Sequence, residues 1–170
     1  MLITSCAWSQ SDMSLSISIP QNSGLFLVTY ENFVIKNDTL FKIRITPNIS
    51  LNDTINGIKY EYDTLEFHKI DQSKLTKLRN LLIGINELGS HSAKGCNIEN
   101  GWLRFYISAK INGKEMKGFI ANCYREPIFQ LVDFMNTCYP KGSVINYDRN
   151  KVIEYEKSCN EFELKKSYKE

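Results

Sequence analysis

Few side chains in this 170-residue chain could do chemistry. His91 stands five residues before Cys96, and an imidazole can act as the base for a thiol nucleophile. Glu61 and Asp63 alternate on a predicted strand, so their carboxylates would share a face as an acid–base pair. For His91 and Cys96, no third group is evident that would orient the imidazole. Glu61 and Asp63 fit the solvated face of an edge strand. We predict that the chain is not an enzyme. The alternative is a small hydrolase-like enzyme using either pair.

The sequence also lacks the short motifs that mark common cofactor and catalytic sites. It contains no P-loop, dinucleotide-binding, nucleophile-elbow or zinc-protease motif. No C-x-x-C pair is present to favour a zinc or redox centre. We therefore predict no cofactor and no metal. The net charge of +2 is too small to predict nucleic-acid binding.

The stretch from Trp102 to Cys138 predicts its own structure most clearly, as strand, turn, strand and helix. Asn112-Gly113 is the strongest short signal for a two-residue β-hairpin turn, because both positions of a type I′ turn need positive φ. With this turn, Ile111 faces Lys114 and one face of the hairpin becomes apolar. That predicted face contains Leu103, Phe105, Ile107, Ala109, Ile111, Met116, Gly118 and Ile120.

The remaining pattern predicts an α+β domain. Alternating or apolar runs predict strands near 14–19, 25–30, 41–46 and 58–70, with a small edge hairpin over 144–155. Helices are predicted over about 72–88 and 127–138, each with one apolar stripe. We expect an antiparallel sheet with both helices packed on one face. The domain is predicted to span 14–159, after a tether over 1–13 and before a charged tail over 160–170.

The solvent side of the central hairpin is the candidate binding surface. It combines aromatic and basic side chains, which are enriched at protein-binding hot spots. These residues are Trp102, Arg104, Tyr106, Lys117 and Phe119. The alternative is that a helix or another strand covers this face and makes it core. Single-stranded nucleic acid could also stack there, but the low net charge argues against it.

The N-terminal residues Ile3-Thr4-Ser5-Cys6 resemble the lipobox of bacterial, Bacteroidetes-type envelope lipoproteins. The resemblance implies a lipid anchor on Cys6 and export to the periplasm or cell surface. A signal peptide needs an apolar region before the cleavage site, and only Met1 and Leu2 precede the motif. Either the true start lies upstream of Met1, or the match is accidental and Cys6 is an ordinary cysteine.

Three further segments resemble the Asp-Thr-aliphatic O-glycosylation motif of extracytoplasmic proteins in such bacteria. They imply modification at Thr39, Thr54 and Thr64. Asp-Thr is also a common turn or capping pair, and that interpretation stays open at each position.

Cysteine counting agrees with export. If Cys6 carries lipid, an even number remains, namely Cys96, Cys123, Cys138 and Cys159. Two disulfides would persist in an oxidising compartment. The hairpin register favours Cys96–Cys123 with Cys138–Cys159, and Cys96–Cys138 with Cys123–Cys159 stays open. A Cys123–Cys138 bridge would have to span the second helix, about 16 Å against a limit of about 7 Å. Four reduced cysteines in a cytosolic protein are the competing interpretation.

Together these expectations predict a non-catalytic exported lipoprotein that binds a macromolecular partner. Immunity proteins and protease inhibitors of the envelope share its size and lack of catalytic motifs, so a toxin or protease is the expected partner. This step is an analogy by class. Membrane contact is expected through the lipid anchor only, and nucleic acid is not expected. A structural or carbohydrate-contacting surface lipoprotein is a further alternative.

Overall fold

The computed structural model of the chain describes residues 13–22, 28–48, 59–93, 103–139 and 145–167. Within these ranges the chain forms seven strands and three helices. They follow one another as β1 Met13–Asn22, β2 Val28–Lys36, β3 Thr39–Asn48, β4 Lys59–Lys69, α1 Gln72–Gly84, β5 Gly89–Ser92, β6 Arg104–Ile111, β7 Lys114–Ala121, α2 Glu126–Cys138 and α3 Arg149–Ser167. Among the described helices, none combines the length and apolar content that a membrane crossing requires.

All seven strands join one mixed sheet in the order β4-β3-β2-β1-β6-β7-β5. Neighbouring strands are antiparallel except β5, which runs parallel to β7. The predicted α+β class is confirmed. β1 joins the two halves of the sheet, because its Ile17 lies opposite both Phe33 of β2 and Ile107 of β6.

The central hairpin is confirmed in its predicted register. Asn112 and Gly113 have φ angles of 51° and 78°, as a type I′ turn requires. Ile111 faces Lys114, as predicted. A shift of the register by one residue would have turned every side chain of one strand to the other face.

One side of the sheet, here called the inward face, is buried in the apolar core. Its buried members are Met13, Leu15, Ile17, Phe33, Ile35, Leu40, Phe105, Ile107, Ala109, Ile111, Met116 and Ile120. Phe129 of α2 packs edge-on against Phe105, with ring centroids 5.9 Å apart. Tyr139, just after α2, packs in the same way on Phe33. Buried leucines of α1, Leu78 and Leu82, belong to the same core.

The first two helices begin where the sequence predicts. Asp71 caps α1, since its carboxylate accepts a hydrogen bond from the Lys74 amide at 2.9 Å. Proline occupies the first turn of α2, where its missing amide hydrogen is not needed. α1 ends at Gly84, short of the predicted 88, because the chain turns extended at Ile85 and leads into β5.

The predicted hairpin over 144–155 is wrong, because α3 begins at Arg149. Asp148 starts this helix: its carboxylate accepts hydrogen bonds from the amides of Asn150 and Lys151. Val152 and Cys159 are seven residues apart and both buried, so the repeat is helical. α3 continues to Ser167, through residues that we predicted to be a charged tail.

Candidate binding surface

The second side of the sheet, here called the outer face, carries the candidate site. It contains the side chains that alternate with the buried ones along each strand. Its large apolar and aromatic members are Tyr30, Val34, Phe41, Ile43, Ile45, Tyr60, Tyr62, Phe67, Tyr106 and Phe119. Several of these are unusually exposed: Phe67 is 71% and Tyr62 68% accessible. Contiguous exposed apolar surface of this kind typically marks an interaction site.

The pairing register arranges these residues in rows that cross the strands. Tyr30, Ile45 and Tyr62 form one row, as consecutive partners on β2, β3 and β4. Another row, four residues along the strands, contains Val34, Phe41 and Phe67. Ile43 lies between the two rows. β2, β3 and β4 therefore present a continuous apolar surface.

The central hairpin supplies a second group of aromatic side chains. Tyr106 lies against Phe119 with ring centroids 4.8 Å apart, and it meets Tyr30 edge-on at 6.3 Å. Burial, together with the nearby hydroxyls of Tyr106 and Tyr60, raises the pKa of Tyr30. Contacts across β1 thus link the aromatic residues of the hairpin with those of β2–β4.

Between the two aromatic groups runs a strip of small hydroxyl side chains. Ser14, Ser16 and Ser18 lie on the outer side of β1 and are half-buried. Ser108 of β6 is the partner of Ser16. Because serine is small, these positions leave room for the Tyr30 and Tyr106 rings to meet across β1.

The residues predicted to bind a partner divide into two sets. Tyr106 is 43% exposed and Lys117 is exposed, whereas Arg104 and Phe119 are half-buried. For Tyr106 this exposure excludes the alternative that the outer side of the hairpin is core. Trp102 lies outside the described residues. Sequence reasoning missed Tyr60, Tyr62 and Phe67 as surface residues, because their apolar alternation equally fits a strand that buries them.

The predicted carboxylate pair shares one side of β4. Asp63 lies opposite Arg44 of β3, and Glu61 lies opposite Thr46. Both carboxylates are exposed on this edge strand. Their exposure agrees with the interpretation of this pair as part of the solvated face of an edge strand.

His91 has a structural role within β5. Its Nε2 lies 3.1 Å from the carbonyl oxygen of Leu88, so the ring nitrogen donates to a local backbone acceptor. Cys96, the other half of the predicted pair, lies outside the described residues. Because this hydrogen bond engages Nε2 of His91 in local structure, it weakens the case for His91 as a catalytic base.

The second histidine, His68, belongs to a small cluster of polar side chains on the inward side of β4. His68 is half-buried, and its Nε2 lies 3.2 Å from a carboxylate oxygen of Glu66. The ring meets Tyr139 edge-on at 5.7 Å. The Tyr139 hydroxyl is buried, and no described residue forms a hydrogen bond with it. Burial, followed by the charge of Glu66, raises its pKa. A neutral phenol held this way is a poor nucleophile.

The state of the cysteines shows that both predicted sets of disulfide pairings are wrong. Cys123 and Cys138 are buried free thiols, so the disulfides predicted at these two positions are wrong. Cys159 is buried and disulfide-bonded, and its partner is neither of them. Cys123 precedes α2 and Cys138 ends it, so the helix holds their sulfur atoms apart. Burial raises the pKa of both thiols, which makes them unreactive. Cys6 and Cys96 lie outside the described residues.

Two of the predicted glycosylation sites lie on the outer face. Thr64 is exposed on β4, opposite Ile43. Thr39 is half-buried and its hydroxyl donates to the carboxylate of Asp38 at 3.0 Å, which fits the turn interpretation of this Asp-Thr pair. Thr54 lies outside the described residues. A glycan at Thr64 would stand among the exposed aromatic residues.

Comparison with known proteins adds no family to this description. No protein-family model and no curated protein matches the sequence. Within the described ranges, no group of three or more His, Cys, Asp or Glu residues is placed to hold a metal ion. The outer face is therefore the feature from which function is inferred.

Proposed function

We propose that this chain is an exported, lipid-anchored bacterial protein that acts without catalysis, by binding another protein through its outer face. The most fitting role is that of an immunity protein or inhibitor that neutralises a toxin or a protease. The observation that carries the proposal is the exposure of Tyr62, Phe67 and Tyr106 on one continuous surface. A few residues supply most of the binding energy in a typical protein interface, and aromatic side chains are prominent among them.

The size of the outer face supports a protein partner. From β4 to β7 the sheet is six strands wide, or about 24 Å at roughly 4.8 Å between strands. Eight residues of strand add about 26 Å at ~3.3 Å per residue. The product is roughly 620 Å² before side-chain relief is counted, which approaches the ~800 Å² per partner of a standard interface.

The proposal takes α1 and α2 to lie together on the inward side, which leaves the outer face for the partner. The contact of Phe129 in α2 with Phe105, and that of Tyr139 just after α2 with Phe33, support this placement for the second helix. A hydrogen bond from Arg79 of α1 to the side chain of Asn112, at 3.2 Å, supports it for the first.

Export is proposed from the lipobox-like segment ending at Cys6. The disulfide at Cys159 supports it, since disulfides persist mainly in oxidising compartments. Mass spectrometry of protein isolated from the source membrane would test the anchor. A diacylglyceryl group on Cys6 is the expected result, and an unmodified residue in membrane-extracted protein would contradict lipidation.

The binding role is tested with the products of the genes next to this one, each purified and assayed separately. We expect one of them to bind the protein and to lose its toxic or proteolytic activity at equimolar ratio. The double variant Tyr62→Ala/Phe67→Ala should weaken that binding at least tenfold, because one or two hot-spot aromatics contribute more than about 1.4 kcal/mol.

Ile83→Ala is the matched control. Ile83 is 58% exposed on α1, so the variant also removes an exposed apolar side chain, but from the helical layer. It should bind like the unchanged protein. Equal binding by the double variant and the control would contradict docking on the outer face. If none of the neighbouring gene products binds, the immunity and inhibitor roles are wrong.

A further inference from the structure

Charge is unevenly distributed over the outer face. A row of basic residues crosses it at the end where the β2–β3 and β6–β7 turns lie. Lys110 pairs with Ser14, Ser14 with Lys36, Lys36 with Thr39, and Thr39 with Lys69. Two strand spacings separate successive lysines, about 10 Å at roughly 4.8 Å per spacing. This set is here called the basic row.

Among the described residues, few acidic side chains lie on the same surface. Glu115 lies opposite Lys110, and Asp38 in the β2–β3 turn bonds Lys69 at 2.7 Å. Lys117, one row further along the strands, adds another exposed cation. The acidic residues of β2 and β4 point to the inward side instead, namely Glu31, Glu61, Asp63 and Glu66. The outer face is therefore basic although the whole chain carries a net charge of only +2.

The apolar surface begins beside the basic row. Val34, Phe41 and Phe67 lie two residues along the strands from it, about 7 Å at ~3.3 Å per residue. The row with Tyr30 and Tyr62 lies about 13 Å further at the same spacing. A partner that covers the face meets cations at one end and aromatic rings at the other.

We propose that the partner docked on the outer face is a protein surface with an apolar centre and a carboxylate-rich edge placed over the basic row. The inference rests on the proposed binding function and names the chemistry of its partner. Complementary charge at an interface rim speeds association and selects the correct partner.

A second copy of the chain is the poorer occupant of this face. Face-to-face packing of two copies would bring two net-basic surfaces together, and like charges oppose association. Single-stranded nucleic acid is also poorer. At the central hairpin, Tyr106 and Phe119 cover part of each other's rings, whereas base stacking needs free ring faces.

The test is a charge reversal read out as binding kinetics. The double variant Lys36→Glu/Lys117→Glu changes two exposed lysines of the outer face. Its control, Lys77→Glu/Lys157→Glu, changes net charge equally but on α1 and α3, where both lysines are also exposed. The association rate with the neighbouring gene product that binds the unchanged protein is measured at 50 and 500 mM salt.

We expect the outer-face reversal to slow association about tenfold or more at low salt, with a smaller effect at high salt because ions screen rim charges. The control should change the rate by less than about twofold, since its lysines lie on helices and not on the strands of the outer face. Binding that Tyr62→Ala/Phe67→Ala weakens but the reversal leaves unchanged would overturn the acidic partner and leave the proposed function standing.

Three other outcomes overturn this inference. The absence of binding by any neighbouring gene product removes the proposed function and the inference with it. A dimer in sedimentation equilibrium that Phe67→Ala dissociates would assign the face to a second copy. Fluorescence anisotropy that shows a fifteen-nucleotide oligothymidylate binding, with loss on Lys36→Glu/Lys117→Glu, would assign it to nucleic acid.

Discussion

Gly118 tests how β5 is held against the hairpin. A Cβ atom added at Gly118 would lie 2.6 Å from the Cβ of Leu88 and 3.0 Å from the carbonyl oxygen of Gly89. Carbon atoms in ordinary contact are about 3.5–4.0 Å apart, so the two Cβ atoms would have to move apart by about 1 Å. Leu88 is buried and the second contact is backbone, so β5 itself has to shift. Overpacking of this kind costs about 1–3 kcal/mol.

Gly118→Ala should therefore lower the urea midpoint by roughly 1 M, taking ~2 kcal/mol of destabilisation and a slope of ~2 kcal/mol per molar urea. Unfolding is followed by circular dichroism. Gly84→Ala makes the same substitution at the end of α1, where nothing lies within 4 Å of the added Cβ. It should raise the midpoint by up to about 0.5 M, because alanine is the better helix former. A Gly118→Ala midpoint equal to that of the unchanged protein would refute the observed approach of β5.

Three further predictions follow from individual contacts. Glu156 accepts hydrogen bonds from the Tyr124 amide at 2.8 Å and from Arg125 at 3.0 Å, so Glu156→Ala should destabilise the protein by about 1.5 kcal/mol in urea unfolding; unchanged stability would contradict an anchoring role. Hydrogen bonds from Ser73 and the Lys74 amide lower the pKa of Asp71 below its usual 3.8. The stabilisation from ionised Asp71 is present above that pH and is lost as the pH falls through the folded-state pKa. The Asp71→Asn variant should therefore lose less stability between pH 5 and pH 2 than the unchanged protein does. An equal loss of stability in the two proteins would contradict the linkage. Alkylation of unfolded, unreduced protein should modify Cys123 and Cys138 but not Cys159, as peptide mass spectrometry can check, and modified Cys159 would contradict its disulfide.

The sequence predicts well those elements whose signals are local. The β6–β7 hairpin needs only the Asn112-Gly113 turn and period-two alternation, and α2 needs only its stripe and proline. β5 could not be predicted, because Gly89–Ser92 contains no apolar side chain and owes its conformation to parallel pairing with β7. α3 was missed because the apolar residues Val152 and Ile153, next to each other, resemble a short strand when the Asp148 cap is not considered.

The candidate site was predicted only in part, for the same reason. Tyr106 and Phe119 share a face by hairpin register alone, which the sequence supplies. The contribution of β4 depends on long-range pairing. A register shift between Lys42 and Ile43 of β3 turns Phe67 and Tyr62 to the same side of the sheet, although five residues separate them in sequence. Alternation alone would place positions 62 and 67 on opposite faces.

Glycosylation and docking exclude each other on the outer face. Thr64 lies between Tyr62 and Phe67 on the outer side of β4, so a glycan there would cover the residues on which binding is proposed to depend. If both expectations held, the modified protein would not bind its partner. We therefore expect Thr64 to be unmodified in protein isolated from its source, as intact-mass and peptide mass spectrometry can show. A stoichiometric glycan at Thr64, in protein that still neutralises its partner, would move the binding site away from β4 and towards the central hairpin.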